Sequence, residues 1–582
     1  MKIYNTFFKW SFIAIVFTFS SCETVDLEQT ENPSQISVDL LDPTYAFNYV
    51  QLQLPDFVNS ANDFTQRVTR QMAMTGGNTY DNAFAPVNSN NNWNIGYNML
   101  NAIKLMEPKA IQSGKTYALG ASKVIRAYVI MTMVDMYGDI PFSESLQGSG
   151  NLSPKFDKSQ DIYKQLFLDL DEAKIILQQS NSSTVQDLYY TNQSGWITLA
   201  NTLKLKMYHT ARLAGTDIGV TDIGAAINSI LSEGNYIDTE SEDFAFKYGN
   251  SRFSPNTRHP LYNDQYEVGG GAYIANYMMW AMTTEKGFGT AIVTDAATTT
   301  DPRTPYYFYK QYVDPFDYVN DPFTLPAISR PDHYNNVEYN SFYLPAVATP
   351  YAVSNWTGQS TLTKLGFWGR DHGDNSGIPP DASLRTVGGI YPIGGTYGTG
   401  GDVQTGGDKG AQGAGIMPIL LSSFVHFMLA EDALSFPVSV GVTLSARDEF
   451  EKGIRNSIDK TVNFIPDFPY LAGTAPVPAI INAQKESYVN FELLKYDNAA
   501  TNKLELIIKE YFIAAWGNGI EPYNNYRRTG YPSNFQPTLE LASGVFYNTA
   551  LYPSSSTVNN PNAPNNVRTK KVFWDKANVV LH

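Results

Sequence analysis

The chain has 582 residues, with 41 Lys or Arg against 56 Asp or Glu and a net charge of −15 at pH 7. That balance excludes the basic surface on which nucleic-acid binding depends, so no nucleic-acid partner is expected. A single Cys excludes a disulfide framework, and 38 Tyr among 13% aromatic residues mark a globular chain whose rings cannot all be core and must also line surfaces.

Lys2 and Lys9 precede an apolar run from Trp10 to Phe19 that is shorter than the roughly 20 residues needed to cross a bilayer. Ser20 and Ser21 then lead into Cys22, so residues 1–21 read as a lipoprotein signal peptide and Cys22 as the lipidation site. Two acyl chains on Cys22 would anchor it stably where one is marginal. Residues 22–41, rich in Glu, Gln, Ser, Asn and Asp, read as a solvated tether, and 42–582 as one domain.

Helical patterns begin at Pro43, over about 43–53 and 56–73. A polar loop from Gly76 to Tyr80 follows, and then the run Asn90-Asn91-Asn92 leads into Trp93. Ile95, Met99, Ala102, Ile103 and Met106 share one face of a third helix, which Pro108 and Gly114 end. The helix over about 117–136 is apolar on nearly every side, which marks it as central. Gly138 and Pro141 stop it. Asp157 with Gln160 resembles a capping box for a helix over 158–178, and helices over 195–213 and 222–233 complete a series of antiparallel pairs. From about 238 to 416 the texture changes to Gly, Pro, Asn and Tyr, the mark of short elements and ordered loops, with one helix near Tyr273 to Met282. Helices resume over 421–435, 443–462 and 499–516, the last ended by Gly517 and Gly519.

The densest mixture of aromatic, cationic and carboxylate groups in that loop-rich stretch runs from Phe367 to Asn375 and contains Trp368, Arg370, Asp371, His372 and Asp374. Sugars need such a mixture, because C–H faces pack on flat rings while hydroxyls take paired hydrogen bonds. Trp356, Tyr391 and Tyr397 are further candidates, with Tyr80 beside the N-terminal polar loop, whereas Trp280 and Trp93 sit on helices and are expected to pack. No cofactor is expected. Asp371 and Asp374 could hold calcium, although their spacing does not match a twelve-residue calcium loop, and the six His lack metal-ligand spacing. A hydrolase using Asp371 and Asp374 is disfavoured, since residues three apart on one turn sit too close to flank a bond at roughly 5–9 Å.

Several phrases in order, Tyr137-Gly-Asp-Ile-Pro-Phe142, Asp301-Pro-Arg303, Gly389-Ile-Tyr-Pro392, Phe427-Met-Leu-Ala-Glu431 and Gly517-Asn-Gly-Ile-Glu521 through Tyr526-Arg-Arg-Thr-Gly-Tyr-Pro532, resemble the SusD/RagB family of surface nutrient-binding lipoproteins. Asp432 departs from that pattern, where alanine is usual. The resemblance implies a mainly α fold: a tetratricopeptide-like helix-pair scaffold, about 42–237 and 417–535, with a loop-rich insertion, about 238–416, carrying the ligand face. It also implies a non-enzymatic, lipid-anchored outer-membrane protein at the cell surface. That protein would bind an oligosaccharide, or alternatively a peptide, and pass it to a SusC-like TonB-dependent transporter. The acidic and basic residues of the family phrases, Glu521, Arg527, Arg528, Asp139, Asp301 and Arg303, are expected to tie the scaffold together.

Overall fold

The computed structural model describes residues 41–577 except 75–78, 181–184, 268–271, 284, 286–300, 312–366, 368, 374–384, 399–402, 404–406, 436–443, 465–477, 501, 537 and 539–545, and it describes only the backbone of 478–481. Residues Pro43–His582 form one compact unit. Its first half is helical: α1 (Pro43–Val68), α2 (Asn90–Ser113), α3 (Thr116–Tyr137), α4 (Ser159–Gln178), α5 (Gln193–Thr210) and α6 (Ile223–Glu233). Successive helices pack on one another, and α3 touches α1, α2, α4 and α5. That position explains its all-round apolarity. α3 is long and apolar enough to cross a membrane, with a mean hydropathy of 1.2, yet 89% of that window is buried inside the protein.

Two helices run on where the sequence signalled an end. α1 continues through Pro55 as a single helix. A proline there removes the N–H that would bond the carbonyl of Gln51. The Tyr189 hydroxyl donates to that carbonyl at 3.0 Å, so the interruption is bridged from outside the helix. α2 likewise passes Pro108 and stops at Gly114, whose φ of 71° lies in the left-handed region. The cap expected for α4 also differs. Asp157 accepts from the backbone of Phe142 and Ser143 at 3.0 and 2.8 Å, while Asp139 accepts from Ser159 N at 2.9 Å at the start of α4. Each carboxylate thus serves the other's segment, a crossing that linear spacing cannot reveal.

The middle of the chain holds short elements: β1 (Phe244–Lys247), α7 (Pro260–Tyr266), α8 (Asn276–Met282), β2 (Phe308–Tyr309) and β3 (Val387–Gly388). β1 pairs antiparallel with β4 (Ile416–Leu420), which opens the second helical run, and β2 pairs antiparallel with β3. α9 (Ser422–Ser435), α10 (Ala446–Val462), α11 (Pro478–Asn498), α12 (Lys503–Ala514) and α13 (Ile520–Thr529) follow. α9 packs on α10, α12 and α5, and α13 packs on α1, which joins the two helical runs into one scaffold. At the α9–α10 contact a Cβ on Gly453 would lie 2.8 Å from the Phe427 ring, so glycine sets how closely these helices approach.

α11 and α13 were not expected from the sequence. α13 is built largely from polar residues, including Asn524, Asn525, Arg527 and Arg528, yet every residue from Ile520 to Arg528 is buried. Burial is tolerable because the charged groups of α13 are each paired. Glu521 accepts from Lys206 Nζ at 2.6 Å and from the Tyr511 hydroxyl at 2.9 Å. The Arg527 guanidinium lies 3.8 Å from the Tyr523 ring centroid and donates to Asn548 O at 2.8 Å. Arg528 donates to Glu431 through Nε at 3.0 Å and Nη2 at 2.7 Å. Asp432 has a partner in His209 Nδ1 at 2.8 Å, so this departure from the family pattern brings its own counter-group. Arg303 is similarly enclosed by Asp301 at 2.6 Å and Glu510 at 2.8 Å.

Candidate functional site

Arg370, Asp371 and His372 come together with Tyr80, but inside the protein. All four are 3% exposed or less. Arg370 exchanges backbone hydrogen bonds with Ile274 and Asn276 at the start of α8. Asp371 Oδ1 accepts from Asn276 Nδ2 at 2.8 Å and from Gln536 Nε2 at 2.9 Å. His372 N donates to Gln536 Oε1 at 3.0 Å, and its Nε2 lies 2.6 Å from the Tyr80 hydroxyl. Burial lowers the imidazole pKa well below its ordinary value and Arg70 pushes it the same way, so the ring is neutral. The guanidinium groups of Arg370 and Arg385 lie 5.4 and 4.5 Å from the centroid of the Tyr273 ring.

This corrects the expectation that these side chains face a ligand. The Asp371 carboxylate and the His372 backbone N–H fasten the start of α8 to Gln536, and burial keeps all these side chains away from a ligand at the surface. Tyr391 is corrected for the same reason: it is 1% exposed, stacked 5.5 Å from Tyr307. Tyr397 is half-buried against Tyr306 at 4.8 Å. Trp280 is packed on α8, as expected. Trp356, Trp368, Asp374 and Cys22 lie outside the described residues. Among the described residues no group of three or more His, Cys, Asp or Glu side chains is placed to hold a metal.

A surface with the required chemistry lies elsewhere, at the first turns of α2. Trp93 and Tyr97, one turn apart, border an open groove of about 260 Å³ whose far wall comes from residues 141–154 and 555–560. No lining residue is charged in a chain of net charge −15; the polar ones are Asn, Ser and Tyr. The Trp93 ring is held at its back by Tyr137 at 5.3 Å and Phe156 at 6.4 Å, and Tyr97 donates to Pro141 O at 2.7 Å. Those contacts fix the ring orientations before any ligand arrives. The Asn94 amide and the Ser556 hydroxyl make no hydrogen bond among the described residues, and Ser555 Oγ is buried without a partner. Leu152, at 77% exposure, adds an apolar shoulder.

The sequence reading placed Trp93 in the packing, and at 7% exposure it is mostly there. What it missed is that the remaining edge meets Ser555 and Ser556 from more than 400 residues along the chain. The one available signal was the run Asn90-Asn91-Asn92, whose amides bond Ser554, Ser60 and the Phe57 carbonyl and so fix the start of α2.

Residues 31–339 match the family described as starch-binding and associating with the outer membrane, and residues 412–572 match the family described as SusD and RagB outer membrane lipoprotein. No curated protein sequence matches significantly. Among solved structures, a chitin-binding SusD homologue from Flavobacterium johnsoniae superposes with a TM-score of 0.60 at 18% identity, covering 92% of this chain and 98% of its own. A SusD/RagB family protein from Bacteroides thetaiotaomicron gives 0.62 at 17% identity, covering 91% of this chain and 99% of that one. A SusD homologue from Bacteroides fragilis gives 0.60 at 16%, covering 90% and 99%. At these identities the likeness establishes the fold: a tetratricopeptide-like helical scaffold with a loop-rich middle.

Proposed function

Because this chain belongs to the SusD/RagB family of outer-membrane lipoproteins, we propose that it captures an oligosaccharide at the cell surface and hands it, chemically unchanged, to a SusC-like TonB-dependent transporter. The observation that carries the glycan assignment is the uncharged groove of Trp93, Asn94, Tyr97, Ser555 and Ser556. Fixed aromatic edges meet the C–H face of a sugar, and unpaired amide and hydroxyl groups exchange hydrogen bonds with its hydroxyls. A neutral lining suits a neutral polymer and gives an ionic ligand no counter-charge. Trp356, Trp368 and Asp374 are proposed to extend the ligand face in the loop-rich middle.

The non-enzymatic reading is supported by the use of the acidic and basic groups of the family phrases. Asp139, Asp301, Arg303, Glu521 and Arg528 are all committed to structural partners. The lipid on Cys22 is proposed to keep the binder beside its transporter, where a high effective concentration lets weak ligand affinity suffice.

A Cys22→Ala chain purified from solution tests this. It should bind neutral oligosaccharides, with β-linked N-acetylglucosamine oligomers as a first probe suggested by the chitin-binding structural relative, and release them unaltered. An Asn94→Ala, Ser556→Ala double variant should weaken binding about tenfold, the loss of one to two net hydrogen bonds. Binding of a peptide mixture with no response on a glycan array, or turnover of the sugar, would refute the proposal.

A further inference from the structure

A second cavity, of about 90 Å³, opens between α1, the N-terminal turn of α7 and the Trp516-Gly517 turn after α12. It is polar in a way the groove is not. The amides of Asn59 and Gln66 and the carboxylate of Asp264 make no hydrogen bond among the described residues. Two buried N–H groups add to them. His259 Nδ1 accepts from Leu261 N at 3.1 Å, which places the proton on Nε2, and that N–H has no acceptor among the described residues although the residue is only 4% exposed. Trp516 Nε1–H, in a residue 1% exposed, is also without an acceptor among the described residues. Each such orphan carries an uncompensated desolvation cost unless something fills its valence.

The charges are unequal. Arg67 lies 3.5 Å from Asp63 and also acts electrostatically on Asp264, so one guanidinium is shared between two carboxylates. Met72, Pro260, Pro392 and Met417 provide apolar wall. The occupant must therefore accept from neutral N–H donors and donate to a carboxylate and amide oxygens from one small body. Hydroxyls on a ring do both. A zwitterionic amino acid fits less well, because its carboxylate would meet only the neutral donors His259 and Trp516, with the one nearby guanidinium already paired.

We propose that this cleft is a second ligand site, separate from the Trp93 groove, that takes one ring of a neutral polyhydroxylated ligand, a hexose-sized sugar unit whose hydroxyls bond His259 Nε2–H, Trp516 Nε1–H and the Asp264 carboxylate. A sugar chain held here and in the groove would be gripped at two places on the scaffold, which raises retention without any strong single contact.

The test uses the full chain carrying Cys22→Ala, labelled with nitrogen-15, titrated with methyl glucoside and with N-acetylglucosamine. The chain has 8 Trp, and the indole N–H resonance of Trp516, assigned through Trp516→Phe, should shift saturably. Asp264→Asn, at the exposed mouth, should weaken that titration about tenfold, as expected for one hydrogen bond to a charged group. Asn94→Ala should leave it unchanged, which separates this site from the groove. If Trp516→Phe does not fold, the saturable indole shift lost in Asp264→Asn is the readout. No saturable shift with either sugar means ordered water only and overturns the proposal. So does a shift insensitive to Asp264→Asn, or one produced by glycine and not by the sugars.

Discussion

Glu431→Gln removes one negative charge from an enclosed ionic cluster of the scaffold and nearly preserves shape. The wild-type carboxylate is fully buried, takes two hydrogen bonds from Arg528, lies 2.5 Å from Arg212 Nη1, and has His209 Nε2 at 3.5 Å. Burial alone would lift its pKa, but the guanidinium groups of Arg212 and Arg528 override that and hold the carboxyl far below the usual range. A glutamine leaves two buried guanidinium groups facing a neutral amide, and breaking a buried pair in this way costs about 3–5 kcal/mol. With an unfolding entropy of about 2.1 cal/mol/K per residue over roughly 540 residues, that is a fall in Tm of about 3–4 °C by calorimetry at pH 7. The pH dependence gives a second check. A carboxyl with a depressed folded pKa contributes stability that is complete above its unfolded value near 4.3 and lost as pH falls through the folded one. The gap between wild type and variant should therefore be full at neutral pH and close below about pH 4. A variant within about 1 °C of wild type at pH 7, or a gap that widens on acidification, would refute this account of the cluster.

Four further substitutions test other parts of the protein. Tyr189→Phe deprives the Gln51 carbonyl of the donor that compensates Pro55, and should cost about 1–2 kcal/mol in urea denaturation; no change would mean α1 tolerates the proline unaided. Asp139→Ala removes the acceptor for Ser159 N at the start of α4, an expected loss of about 1–2 kcal/mol in the same assay, whereas Asp157→Ala should leave the α4 terminus intact by amide exchange. Cys22→Ala should leave the protein in the soluble fraction, with ligand binding unchanged in solution; a variant that still sediments with membranes would contradict lipidation at this residue.

Helix periodicity was legible wherever one face is apolar and the other polar. α2, α4, α6, α9 and α12 appear close to where their spacing places them, and the all-round apolarity of α3 correctly marked the central helix. α13 was illegible because its residues look like a solvated turn, and only Glu431, Asn548 and Lys206, brought from distant parts of the chain, make a buried polar helix tolerable. The candidate site divides the same way. Composition pointed to aromatic and hydrogen-bonding groups on a surface, and the phrase from Phe367 to Asn375 held the richest supply of them. Richness in such groups serves an internal tie as well as a ligand face, and nothing in a linear segment says whether Asn276 and Gln536 will reach Asp371 before a sugar does.

The class of protein was legible in the chain alone: a helical scaffold interrupted by a loop-rich middle, with family phrases whose charged residues serve structure. Those properties are local or compositional, and they survive without knowledge of what touches what. Which aromatic edges meet free amides and hydroxyls depends on the packed three-dimensional fold. The groove joins Trp93 to Ser555, and the second cleft joins Asp264 to Trp516. Exposure and unpaired hydrogen-bonding capacity are set by long-range packing, which brings those residues together or seals them away.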